Sequence, residues 1–231
     1  RSRVFMLKDI FLFGGLISYD HTFIYLFYFF LVVAIIVAVA LCSTRSLQLV
    51  PHGMQNIAEA YLSGVLTIGK DAMGSEEQAK KYLPLIATLG FVIFFSNVIG
   101  LVPGFESPSA SLNLTLSLTL CVWLYYHFEG VREHGVINYL KHFMGPVKIL
   151  APFMFVIEIV SHFSRVVSLS FRLFGNIKGD DTFLLVMLTL APALIPMVPF
   201  ALLTFMAILQ TFIFMVLSYV YLAGAVIVDE H

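Results

Sequence analysis

The chain contains stretches so long and so free of charge that water cannot be their only solvent. Nothing charged lies between His21 and Arg45, a run of 23 residues that includes Phe29, Val33, Ile36 and Val39. A helix of that length crosses the roughly 30 Å hydrocarbon core of a bilayer. The run has no small-residue cleavage signature and is too long for a signal-peptide core, so it reads as a retained anchor. Arg1 to Phe5 precede a candidate initiator, Met6, and are set aside. Two further charge-free stretches run from Tyr82 to Phe105 and from Ser107 to Phe128. Pro103, Gly104 and Pro108 fall between them, as expected of a tight hairpin turn.

The rest of the composition agrees. Only 12% of the 231 residues are charged and 60% are apolar or aromatic, with a mean hydropathy of +0.95. Soluble domains carry about 25% charged residues. The net charge of −1 gives no electrostatic reason for a nucleic-acid partner. Cys42 and Cys121 lie in apolar stretches without metal-type spacing, so no disulfide framework, zinc site or other cofactor is expected.

The expected fold is an all-α polytopic membrane protein. It has about five membrane helices, one surface amphipathic helix, and a last pair forming a long, tilted helical hairpin. Ser111 to Thr119 alternates polar and apolar residues with period two, which would read as a strand in water. In lipid a lone strand leaves its backbone unpaired at several kcal/mol per group, so helix wins. The resulting helix shows small polar groups on several faces, which suits packing among other helices. Within the more polar residues 46–81, Met54, Ile57, Ala58, Tyr61, Leu62 and Val65 recur opposite Gln55, Asn56, Glu59 and Ser63. That pattern fits a helix on the membrane surface or a loop helix packed on its neighbours. The segments are then 22–44 (first span), 46–81 (loop), 82–128 (hairpin) and 149–228 (long hairpin), in a single membrane domain. Arg45, Lys70, Lys80 and Lys81 in one loop and Arg132, Lys141 and Lys148 in another put both loops in the cytoplasm. The N-terminus is then outside and the C-terminus cytoplasmic, although Arg1, Arg3 and Lys8 oppose that orientation.

From Ile149 to about Leu190 the chain is mostly apolar, and one continuous helix would be about 63 Å long, so it must tilt or bend. Pro192, Pro196 and Pro199 interrupt the run before a final apolar segment, about Phe200 to Val228. At about 100° per residue, Glu158, Ser161, His162, Arg165, Ser168, Arg172, Asn176 and Asp180 fall within an arc of roughly 120°. An ionisable group at membrane depth is costly unless it faces water or a partner. Glu158 could satisfy Arg165, but Arg172 has no acidic residue within a turn. On the last helix Thr204, Thr211 and Ser218 repeat every seven residues, which suits close packing. Gln210 is larger and is a candidate to face Arg172. His162 fits either a proton relay or hydrogen-bonded packing. The His127, Glu129, Glu133, His134 cluster has metal-ligand composition but sits among basic residues at a span end, where interfacial charge is the better reading.

Ser168-Leu-Ser170-Phe-Arg172-Leu-Phe-Gly175-Asn176 resembles the signature of subunit a of bacterial F-type ATP synthases. Leu209-Gln210-Thr-Phe-Ile-Phe-Met, Asn113-Leu-Thr115-Leu-Ser117 and Asn97 add to the likeness, which runs from about residue 45 to the C-terminus. The resemblance implies a stator subunit of a bacterial inner membrane, non-catalytic for ATP chemistry itself. Its implied partners are a c-subunit ring, peripheral-stalk b subunits, the rest of the complex and the bilayer. It implies that Arg172 is the fixed cation facing the ring carboxylates, with Glu158 on the cytoplasmic side, Asn176 and Gln210 near the arginine, and Asp181 as the outer acid. Two positions depart from the family: Asp181 stands where many members have Glu, and Leu203 where some have a titratable histidine. A relay through Leu203 is therefore disfavoured, and Asp180 is left to share the work with Asp181.

Other classes fit less well. Aspartyl chemistry needs carboxylates converging from different helices, whereas Asp180 and Asp181 are adjacent in one. No paired axial histidines suggest haem. A secondary transporter would show two similar halves, and residues 1–110 contain nothing like the 158–181 stripe.

Overall fold

A computed structural model describes residues 21–45, 48–102, 105–144, 150–190 and 197–226. The described residues form seven α-helices, a single turn of 3-10 helix at Pro108–Ala110, and no strand. The helices are α1 (His21–Thr44), α2 (Met54–Met73), α3 (Glu76–Ile99), α4 (Leu112–His134), α5 (Val136–Met144), α6 (Ala151–Leu190) and α7 (Met197–Val226). Several features read from the sequence lie outside the described residues: the turn residues Pro103 and Gly104, the breakers Pro192 and Pro196, and Arg1, Arg3, Met6, Lys8 and Lys148.

Four helical segments are long and apolar enough to cross a membrane: Phe23–Thr44, Glu76–Ile99, Ala151–Leu184 and Phe200–Val226. The fifth expected span, α4, has the length but is diluted by Asn113, Thr115, Ser117 and Thr119 and ends in Glu129, Arg132 and Glu133. Its period-two residues sort by helical geometry. Thr115 and Thr119 are buried, and Thr115 Oγ1 meets Ser170 Oγ of α6 at 3.2 Å, whereas Asn113 and Ser117 are exposed. Leu112, Leu116, Leu120 and Leu124 form an exposed apolar stripe at i, i+4 spacing.

Helix α2 takes something from each of its two readings. Val65, Gly69 and Met73 in its second half are buried, while Met54, Ile57 and Leu62 in the first half are exposed. Gln55, expected on the polar face, is buried and clasps the backbone of Gln48 through both ends of its amide, at 3.1 and 3.0 Å. Gly74, at φ 66, ends the helix in the left-handed conformation that a glycine adopts without steric cost. Residues 76–81, read from the sequence as loop, form the first turns of α3.

The core lies among α2, α3, α4, α6 and α7, around Tyr82, Ile86, Tyr126, Leu173, Phe214 and Tyr219. Two close approaches depend on glycine. A Cβ on Gly69 would run into the Tyr219 ring, and one on Gly90 would run into Tyr61 Oη and Met215 Sδ. Tyr61 Oη in turn donates to the Ala87 carbonyl at 2.8 Å. Helix α1 stands to one side, with Ile24, Tyr28 and Val32 packed on Ile99.

The last two helices run antiparallel: Tyr221 of α7 stacks under the Arg165 guanidinium of α6 at 5.3 Å, while Leu203 of α7 shares a cavity with Asp180 and Asp181 at the other end. On α7, Thr211 and Ser218 are buried, but Thr204, expected to pack, is exposed. All three hydroxyls donate to carbonyls one turn back in their own helix, so burial is not needed to satisfy them.

Candidate functional site

The polar stripe of α6 is divided by the helix's packing. The buried seam is Val166, Leu169, Ser170, Leu173 and Ile177, which packs toward α4 and α7. Of the stripe residues, His162 lies inside; Glu158, Ser161, Arg165, Asn176, Asp180 and Asp181 are half-buried; Ser168 and Arg172 are exposed. These residues separate into two polar clusters with Arg172 between them.

The first cluster joins the α4 C-terminal half to α5 and α6. His162 Nε2 is 3.4 Å from Glu158 Oε1, and its Nδ1 is 2.7 Å from Tyr126 Oη of α4. Arg165 Nη2 reaches Glu158 Oε1 at 3.9 Å. Beside them the Tyr139 hydroxyl of α5 lies 2.7 Å from His127 Nδ1, and burial pushes that phenol up to about 12, so it stays neutral. The acidic and imidazole groups once suggestive of a metal site have other partners here. Glu129 is buried against Lys81 Nζ (2.7 Å) and Tyr82 Oη (3.1 Å), and His134 Nε2 lies 2.9 Å from the Val226 carbonyl.

The second cluster surrounds a cavity of about 30 Å³, lined by Asn97, Ser107, Asp180, Asp181, Phe200 and Leu203 among others. That volume holds about two waters. A chain of hydroxyls leads to it: Ser107 Oγ donates to the Ser96 carbonyl at 2.6 Å and lies 2.7 Å from Ser109 Oγ, which donates to Asn97 Oδ1 at 2.6 Å. The amide nitrogens of Asn97, Asn176 and Gln210 are buried and have no partner among the described residues. On α6 the order from this cavity is Asp180, Asn176, Arg172 at four-residue steps; on α7 it is Leu203, Ala207, Gln210. Of these amide donors, Asn97 lines the cavity and Asn176 stands between Asp180 and Arg172 on α6, a distribution suited to ordered water.

Arg172 sits near the midpoint of α6 and makes no hydrogen bond or ion pair among the described residues. Gly175 and Gly179, one and two turns further on, are exposed, and a Cβ on either would meet nothing within 4 Å. The arginine therefore projects from an apolar helix beside a face of small residues.

The ATP synthase A chain family model matches residues 26–223. The chain belongs to that family. It is 73% identical over 226 residues to ATP synthase subunit a of Campylobacter hominis, covering 97% of this chain and 99% of that one. It is 65% identical over 225 residues to ATP synthase subunit a of Campylobacter concisus (97% and 99%). Against ATP synthase subunit a of Campylobacter jejuni, strain 81-176, the identity is 64% over 224 residues (97% and 99%). The chain is thus a polytopic helical membrane protein of the ATP synthase subunit a family, spanning nearly the whole length of these relatives.

Two parts of the site were missed from the sequence. Tyr126 reaches His162 across 36 positions of chain, a pairing no local pattern shows. Glu106, treated as the charge that separates two spans, is 7% exposed and bonded to Tyr25. A carboxylate between Phe105 and Ser107 at the end of an apolar run was the available signal.

Proposed function

We propose that this chain is the proton-conducting stator subunit of the membrane sector of an ATP synthase. It provides two offset aqueous half-channels and a fixed cation, Arg172, that faces the carboxylates of a c-subunit ring. The observation that carries this reading is the exposed guanidinium of Arg172, unpartnered among the described residues, midway along an apolar helix with a polar cluster toward each end. A charge at that depth needs a water-filled space or an opposite charge, and a carboxylate from another subunit supplies the latter.

A guanidinium keeps its proton at all working pH values, so it attracts a carboxylate without relaying the proton. It favours ionisation of the approaching carboxyl and blocks direct leakage between the two half-channels. Protonated, the ring carboxyl is neutral and can pass through lipid. Each elementary charge moved contributes about 2.3 kcal/mol per 100 mV of membrane potential, which turns the ring.

The outer half-channel runs from the cavity at Asp181 and Asp180 past Asn176 and Gln210. The cytoplasmic one runs past Glu158, Ser161, His162, Arg165 and Ser168. The basic loop before α6 supports this assignment, as does an outer location for the turn around Glu106. Leu203 has no titratable group, so Asp180 shares proton handling with Asp181. Peripheral-stalk b subunits hold the stator against rotation, and the complex sits in the bacterial inner membrane with the C-terminus of this chain in the cytoplasm.

The test is Arg172→Ala in the assembled enzyme. ATP-driven proton pumping should disappear while ATP hydrolysis by the detached catalytic head remains normal; normal pumping overturns the mechanism.

A further inference from the structure

Tyr25, Glu106 and Lys178 come from three separate parts of the chain and meet beside the outer cavity. The Tyr25 hydroxyl of α1 donates to Glu106 Oε1 at 2.9 Å and accepts from Lys178 Nζ of α6 at 3.4 Å. Lys178 Nζ lies 3.9 Å from the same carboxylate oxygen. Glu106 is 7% exposed, and its Oε2 is buried without a partner among the described residues. The next residue, Ser107, lines the cavity with Asp180 and Asp181.

Lys178 precedes Asp181 by three positions on α6, so the two side chains share a helix face. The ammonium thus lies 3.9 Å from Glu106 and shares a helix face with Asp181, so its charge is available to carboxylates from two parts of the chain. From α3 and the turn after it the cavity is bordered by Asn97, Gly100 and Leu101, and from α7 by Phe200, Leu203 and Ala207, none of them charged. Tyr25, Glu106 and Lys178 are thus the titratable groups that face the acid pair among the described residues.

We propose that Glu106 is a positioning residue that, with Tyr25, holds the Lys178 ammonium away from Asp180 and Asp181 and so sets the pH at which the outer cavity accepts protons. An unopposed ammonium on the helix face of Asp181 favours the ionised form of the acid pair and demands a more acidic compartment for loading. With Glu106 sharing that charge, loading occurs at higher pH. The carboxylate end of this pair is buried while the ammonium is partly exposed, so water screens it less than a fully exposed surface pair.

This inference rests on the reading of Asp180 and Asp181 as proton carriers. It is tested by ATP synthesis in proteoliposomes of the assembled enzyme, driven by a fixed potassium diffusion potential, while pH is varied on the Glu106 side. Glu106→Gln should move the midpoint of the rate profile by roughly one pH unit toward acid, and Lys178→Gln should move it toward alkali. The double variant should return close to the parental midpoint. Unmoved midpoints in all three variants, with only lower rates, reduce the cluster to a structural staple and overturn the proposal. Loss of synthesis in both Glu106→Gln and the double variant, at every pH, also overturns it, because Glu106 would then carry the proton itself. If Glu106→Gln lowers the amount of assembled enzyme, Lys178→Gln decides alone: an alkaline shift supports the balance and an unmoved midpoint overturns it. Arg172→Ala measured in parallel separates this from the broader reading, since synthesis that survives that change removes the half-channel assignment whatever Glu106 does.

Discussion

Asp180 on α6 and Leu203 on α7 line one cavity, a carboxyl set beside an aliphatic side chain. If the two aspartates share proton handling there, neither alone should be indispensable. Asp180→Asn and Asp181→Asn should each slow proton pumping by about tenfold, equivalent to ~1.4 kcal/mol on the barrier. The double variant should lose more than the sum. Full pumping from the double variant would remove both acids from the path.

His162 joins Tyr126 to Glu158, so removing the ring should affect more than packing. His162→Leu should lower pumping several-fold. Tyr126→Phe deletes a single hydroxyl and should cost about 1 kcal/mol of stability, with pumping largely kept. Thermal inactivation and fluorescence-quench pumping assays on the same membranes distinguish the two effects.

Lys81 and Tyr82 both depend on the buried Glu129 carboxylate. Glu129→Ala leaves the ammonium and the hydroxyl without it, at a cost of roughly 1–3 kcal/mol. The expected result is less assembled complex at elevated temperature, with normal turnover per assembled enzyme. An unchanged melting profile would show that water replaces the carboxylate.

Gly90 admits Tyr61 and Met215 to a contact that no side chain at 90 leaves room for. Gly90→Val should force Tyr61 off the Ala87 carbonyl and cost about 1–3 kcal/mol through overpacking. Gly175→Ala, which meets open space inside α6, is the control and should not lower stability.

The spans were legible because bilayer thickness and backbone hydrogen bonding leave a charge-free run few options, and α1 and α7 follow from that alone. The arginine was legible for a related reason: a fixed charge in an apolar helix stands out by its cost. Contacts between helices were not. Gln55 reads as polar surface by periodicity yet is buried, because its amide reaches back to the Gln48 backbone. Thr204 and Ser218 have the same spacing and chemistry but opposite burial, which depends on neighbours that a single-helix pattern does not contain. Glu106 was missed because its two partners lie 81 and 72 positions away.

The length of α6 has a further consequence. At 40 residues it measures about 60 Å, against a hydrocarbon layer of about 30 Å. If all of it stays within that layer, it must run sideways by about 50 Å or more, well over one and a half times its rise through the bilayer. With packed helices about 10 Å apart, such a diagonal passes several upright neighbours in succession. One neighbour can then be leaving the chain at Glu158 while another arrives at Asp181, so a single helix can serve both ends of a hand-over.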